Sequence, residues 1–133
     1  METILLSVNP EYVERILAGD KQYEYRKKLA NKPVGKIIIY ATEPVMQIVG
    51  EVRVLNILSC SPSALWEKTK TKAGISRAKY RLYFKGCKTA NAYCLGEVKK
   101  YEKPKQLADF NIHQPPQSFI YLSDIQINNV KKS

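Results

Sequence analysis

The chain has 133 residues, enough for about one domain whose core closes without disulfides or a metal. Its 22 Lys and Arg against 12 Asp and Glu leave a formal net charge of +10, an excess that favours polyanionic partners, nucleic acid first. Three cysteines with no CxxC pair, a lone His113 with no second ligand at metal spacing, and the lack of a GxxxxGK[ST] or GxGxxG loop argue against a disulfide framework, a metal site, a histidine-activated nucleophile and nucleotide-cofactor chemistry.

The start, METILLSVNP, lacks a basic region followed by a long apolar one, and no apolar run approaches the roughly 18 residues of a membrane span. The expectation is a cytoplasmic protein with no membrane partner, no metal and no cofactor. Leu5 to Val8 is short and apolar, and Asn9 then caps a helix whose first position, Pro10, needs no N–H. Val13, Ile16 and Leu17 recur at i, i+3 and i+4 as a core-facing stripe, and Gly19 supplies the left-handed residue that ends the helix. From Gln22 the pattern alternates, with Gln22, Glu24 and Arg26 on one side and Tyr23 and Tyr25 on the other.

After a loop through Ala30 to Pro33, VGKIIIYAT and QIVGEVRVLNIL read as two strands rich in β-branched residues, joined by a turn at Glu43-Pro44. Gly35 and Gly50 stand where a bulge or bend lets a small sheet curl. Ser63 is expected to cap a helix carrying Leu65 and Trp66, and Ser76 a second that runs to Phe84 and stops at Gly86. NAYCLGEVKKYE reads as a long strand with a glycine break, PKQLADF as a one-turn excursion, Pro115-Pro116 as a stop and SFIYLSDIQI as a returning apolar segment. Lys131-Lys132-Ser133 reads as a frayed end. With strands outnumbering inserted helices and no repeat or linker, the fold class is α+β around a small curved sheet or barrel.

Two groups of residues carry candidate chemistry. From Lys68 to Lys88 there are eight Lys or Arg and no acid, and in a helix Arg77, Arg81 and Lys85 fall at i, i+4 and i+8 as one positive stripe. The interleaved Tyr80, Tyr83 and Phe84 either stack on unpaired bases, at about 1–3 kcal/mol each, or fill the core. The second group is Lys21, Glu24 and Arg26, with Tyr40, Glu51 and Ser118 as possible neighbours in space. In a cleft, the lysine and carboxylate move protons or hold an anion, and the guanidinium fork suits phosphate. On an open strand the same residues are a solvated ion pair worth about 0.2–1 kcal/mol.

The run SVNPEYVERILAGDKQYEYRKKL, with its Gly19-x-Lys21-x-x-Glu24-x-Arg26 signature, followed by VGKIIIYATEP, IVGEVRV and PPQSFIYL, resembles the activating signal cointegrator homology (ASCH) domain, a relative of the PUA domain. The likeness covers about Leu5 to Leu122. It implies a PUA-like small mixed β-barrel of five or six strands with short helices inserted, over residues 5–130, and a cleft beside the first helix lined by Lys21, Glu24 and Arg26, with Ser118 and Tyr121 from the closing motif. Such domains are regarded as RNA-binding or RNA-processing modules. One branch, the small N4-acetylcytidine amidohydrolases, uses a lysine, a threonine and a glutamate. Lys21 matches the lysine, but Glu24 stands where the threonine falls, and Lys70 to Gly74, where the third member belongs, holds no acid.

The leading expectation is an RNA-binding protein in which Lys21, Glu24, Arg26, Tyr40 and Ser118 meet a nucleotide or base while Arg77, Arg81 and Lys85 hold the phosphate backbone. The alternatives are a metal-independent enzyme on RNA or modified nucleosides, with Lys21 and Glu24 as its catalytic pair, and a protein-interaction module for an acidic partner. Oligomeric state stays open.

Overall fold

The computed structural model describes residues 1–131, so Lys132 and Ser133 of the expected frayed end lie outside the described residues. Strand β1 (Glu2–Val8) lies inside the sheet between two neighbours: Ile4, Leu5 and Leu6 are all buried, so both of its faces are covered and it reads as a continuous apolar run. It pairs in parallel with β3 (Val34–Ala41) and antiparallel with the short β6 (Phe119–Tyr121). The crossover between β1 and β3 carries α1 (Pro10–Leu17) and β2 (Tyr23–Arg26). β3, β4 (Gln47–Cys60) and β5 (Ala90–Lys105) continue antiparallel, and β2 closes onto β5. Among the described residues this gives one six-stranded mixed sheet, ordered β2-β5-β4-β3-β1-β6 and curled into a half-barrel.

Glycine permits the curl. The pairing of β1 with β3 slips by one residue at Gly35, and both neighbours of β4 change register beside Gly50. A Cβ on Gly50 would sit 2.6 Å from the Lys99 carbonyl oxygen, so no larger residue fits that close approach without a shift.

Three apolar clusters hold the layers together. Ile4, Leu6, Ile37 and Ile39 meet Val13 and Ile16 of α1 on one face, while Leu5, Ile38, Tyr40 and Ile48 meet Phe110 and Leu122 on the other. The third cluster, Tyr25, Leu65, Tyr80, Phe84 and Ala92, lies under α2 (Pro62–Thr69) and α3 (Arg77–Tyr83). Ser61, rather than the expected Ser63, caps α2 by accepting from the Ala64 amide at 3.3 Å, because Pro62 already provides the first helical residue and puts Ser63 inside the turn. Ser76 caps α3 as expected, accepting from the Lys79 amide. Leu107–Phe110 makes a single 3₁₀ turn, and α4 (Asp124–Lys131) follows β6. No helix among the described residues is long and apolar enough to cross a membrane.

Candidate functional site

The site begins with the stop of α1. Gly19 adopts φ +84°, and the amides of Asp20 and Lys21 both turn back to the Arg15 carbonyl at 2.9 and 3.0 Å. The turn delivers Lys21 beneath the 72–75 loop, where the Gln22 amide donates to the Lys72 carbonyl at 2.9 Å. Lys21 is only 3% exposed, and its Nζ donates to the Ala73 carbonyl at 2.7 Å. The ammonium also lies 4.7 Å from the Tyr25 ring centre and 5.3 Å from that of Tyr12, a cation–π setting. Burial lowers its pKa to about 8; Glu24 opposes that shift, while Arg15 and Arg26 reinforce it. Gly74 makes the lid possible: its φ is +64°, and a Cβ there would stand 2.4 Å from the Lys21 Cβ.

Glu24 and Arg26 form the second part. Two residues apart on β2, they share one face, and Glu24 Oε2 accepts from Arg26 Nη2 at 2.6 Å and Nε at 3.2 Å. Arg26 Nη2 also donates to the Ser7 carbonyl at 2.9 Å, and Nη1 reaches Ser118 Oγ at 3.4 Å. β2 is one edge of the sheet, whereas Ser7 lies on β1 and Ser118 just before β6 at the other edge. Arg26 therefore bridges the open seam of the half-barrel through polar contacts. Ser7 reinforces the seam, its Oγ donating to the Pro116 carbonyl at 2.6 Å and its amide to the Ser118 carbonyl at 2.9 Å.

Lys21, Glu24 and Arg26 line one cleft of about 190 Å³, together with Val8, Asn9, Tyr12, Tyr25, Ile75 and Tyr83. Strand alternation sets Lys21 on the Tyr25 side of β2, opposite Glu24 and Arg26. All three still meet, because the cleft lies at a sheet edge where both sides of the strand contribute. The 70–74 loop faces Lys21 with a carbonyl, so Glu24 is the one carboxylate among the residues lining the cleft. Tyr83 is 37% exposed; its hydroxyl accepts from the Lys27 amide at 3.3 Å, and the Lys27 ammonium lies 5.1 Å from its ring centre.

The other expected site residues go elsewhere. Tyr40, 2% exposed, packs with Leu5, Ile38 and Phe110 on the opposite sheet face, because alternation along β3 groups it with Ile38. Glu51 pairs with Lys36 at 3.0 Å and accepts from the Tyr101 hydroxyl at 3.0 Å in a separate polar groove. Tyr121 accepts from the Lys32 amide rather than lining the cleft. Tyr80 and Phe84 are each 2% exposed and belong to the core, which leaves Tyr83 as the aromatic of that trio lining the cleft. Arg77 and Arg81 line a different hollow on α3, and Lys85 is exposed past the helix end at Tyr83. Tyr12 and Asn9 were not singled out from the sequence for the cleft; the available signal was their place on the first turn of a helix ending beside Lys21.

An ASCH domain family model matches residues 6–110. The "ASCH domain-containing ribonuclease" of Zymomonas mobilis is 30% identical over 122 residues, covering 89% of this chain and 82% of that protein. A region of a Ureaplasma parvum protein named ATP synthase subunit alpha is 36% identical, and one of its large ribosomal subunit protein uL22 is 28% identical; each match covers 91% of this chain. The chain spans only 15% and 39% of those two relatives' lengths. The crystal structure of ASCH from Zymomonas mobilis superposes with a TM-score of 0.90 at 28% identity, covering 98% of this chain and 94% of that one. The N-terminal domain of Staphylothermus marinus McrB, with a TM-score of 0.64 and 14% identity, shares the fold alone. The crossover helix, the Lys21–Glu24–Arg26 cleft at the seam and these matches lead to one assignment: this chain belongs to the ASCH domain family.

Proposed function

We propose that residues 5–130 act as one cytoplasmic RNA-binding ASCH domain whose cleft receives a nucleotide of single-stranded RNA. The observation that carries this reading is the Lys21 ammonium, 3% exposed at the wall of a 190 Å³ cleft. An ammonium has three donors, and among the described residues only the Ala73 carbonyl accepts one. The other two have aromatic faces near them, and a phosphate or base carbonyl oxygen entering the cleft supplies stronger acceptors. Tyr12 and Tyr83 offer ring faces for a base, and Arg26, its nitrogens held by Glu24, Ser7 and Ser118, adds positive charge to the wall. The net charge of +10 and a relative named as a ribonuclease support the same partner class.

The test is fluorescence anisotropy of a labelled ten-nucleotide single-stranded RNA with the wild type, Lys21→Met and Arg26→Ala, each checked for fold by circular dichroism. Engagement of several phosphates predicts a loss of affinity on the order of 10²–10³-fold between 50 and 200 mM salt. Both substitutions should weaken binding at fixed salt. A salt-independent affinity, or folded variants that bind like the wild type, would overturn the reading.

The ribonuclease name of a relative matched over 82% of its length favours a second reading, metal-independent cleavage of the RNA bound in the same cleft. There the 2′-hydroxyl attacks the adjacent phosphorus and expels the 5′-oxygen. Glu24 takes the hydroxyl proton, Lys21 stabilises the charge developing on the phosphoryl oxygens, and water protonates the leaving group. Labelled RNA incubated with chelator should be cut by the wild type and spared by Lys21→Met; equal cutting by both would assign the activity to another site or a contaminant.

A further inference from the structure

The cleft and a second, larger hollow share α3. Tyr83 turns toward the cleft, whereas Arg77, Tyr80, Arg81 and Phe84 line a groove of about 370 Å³ together with Pro62 and Trp66 of α2. Tyr80 and Phe84 form an aromatic floor, their ring centres 4.9 Å apart edge to face. Trp66, partly exposed, lies tilted on Tyr80 at 4.8 Å. Arg77 and Arg81 are exposed, one helical turn apart, and neither forms an ion pair with a described residue. Like charges at this spacing repel, and an anion between them relieves the repulsion. The acid at the rim, Glu67, is bound to Lys70 at 2.7 Å.

We infer that this groove is a second nucleotide subsite, in which a base of single-stranded RNA stacks on Trp66 while the flanking phosphates lie along Arg77 and Arg81. The inference rests on the RNA-binding reading. A partly exposed indole beside a cationic rim is the pairing that a nucleotide matches at both ends, base to ring and phosphate to guanidinium. An acidic peptide matches the rim alone. The surroundings strengthen the complementarity, since the stretch from Lys68 to Lys88 has eight basic residues and no acid. Because a helix with side chains is about 10–12 Å across, one strand leaving the cleft over Tyr83 reaches the groove within a few nucleotides.

Trp66 is the single tryptophan of the chain, so its emission reports this groove directly. Titration of the unsubstituted protein with a ten-nucleotide single-stranded RNA should quench that emission saturably, with the midpoint that anisotropy gives for the same RNA. Trp66→Leu should weaken binding on the order of tenfold. The double substitution Arg77→Gln/Arg81→Gln should weaken it and reduce the slope of log affinity against log salt by about 1.4, the share of two phosphate contacts on a single strand. RNA that binds by anisotropy without quenching Trp66, and with unchanged affinity for Trp66→Leu, would sink the subsite and leave the cleft reading intact. No RNA binding in either assay would remove the RNA reading and the subsite together. Quenching by polyglutamate but not by RNA would overturn the subsite in favour of an acidic protein partner.

Discussion

Replacing Lys21 by methionine tests the electrostatics of the cleft without any knowledge of the ligand. Burial holds the Lys21 pKa at about 8, against the usual 10.5. The unfolded chain therefore keeps its proton at pH values where the folded chain gives it up. The sign follows from that difference. Below pH 8 the folded protein carries the whole cost of a buried ammonium, and as pH rises from 8 toward 10.5 the cost is released because the native amine is neutral. From these two pKa values the cost is roughly 3 kcal/mol at pH 7 and about 1 kcal/mol at pH 10, so about 2 kcal/mol returns over that interval. Methionine carries no proton and should show none of this change, while groups common to both proteins cancel in the difference. At pH 7 two effects oppose each other in the variant, relief of the buried charge and an Ala73 carbonyl left without its donor at about 1–3 kcal/mol. The informative quantity is thus the slope, measured by urea denaturation at pH 7, 8.5 and 10. Wild-type stability should gain on the variant by about 2 kcal/mol across the series. Parallel pH dependences would mean that the folded-state lysine titrates normally and that the cleft does not desolvate it.

Gly74→Ala should destabilise by about 1–2 kcal/mol or more, since a Cβ would stand 2.4 Å from that of Lys21 at φ +64°, and relief by displacing the loop should move the Lys21 pKa back toward 10.5 in an amine-titration experiment. Arg26→Ala should cost about 2–4 kcal/mol in denaturant titration, because it leaves the 7%-exposed Glu24 without its cation and unlinks the Ser7 carbonyl at the seam. Arg26→Lys should recover only part of that, for an ammonium cannot span Glu24, Ser7 and Ser118 together. Glu51 is pushed up by burial but pulled down further by hydrogen bonds from Lys36 and Tyr101, and the net shift is downward. Its stabilisation is therefore present above the ordinary glutamate pKa and lost as pH falls through the lowered one. Glu51→Gln should show a smaller loss of stability than the wild type on acid titration between about pH 5 and 3.

Local chemistry was legible where it decides local structure. Asn9, Pro10 and Gly19 bounded the first helix, Ser76 started the third, which ends at Tyr83 before the expected Gly86, and Gly35 and Gly50 marked the bulges, because caps, fixed φ and the absence of a Cβ act on near neighbours in sequence. The Ser63 cap failed to Ser61 because one proline fixes helix phase more strongly than a serine two residues on. The clustering of Lys21, Glu24 and Arg26 was expected from the signature, but the stripe of Arg77, Arg81 and Lys85 was split by the end of a seven-residue helix.

What the sequence by itself determined was the order of elements as far as β6, the bends and the basic excess, all set by interactions over a few residues; the segment SFIYLSDIQI, expected as one returning stretch, splits into β6 and the helix α4. The assembly across distance came from the tertiary fold alone: the Ala73 carbonyl over Lys21, the reach of Arg26 from one sheet edge to Ser7 and Ser118 at the other, and the burial of Tyr40 away from the cleft. Those partners are 52, 19 and 92 residues from the side chains they meet, a separation that no local pattern encodes. Desolvation followed from the same closure, since a lysine becomes a weak base only when the chain folds over it and removes its water.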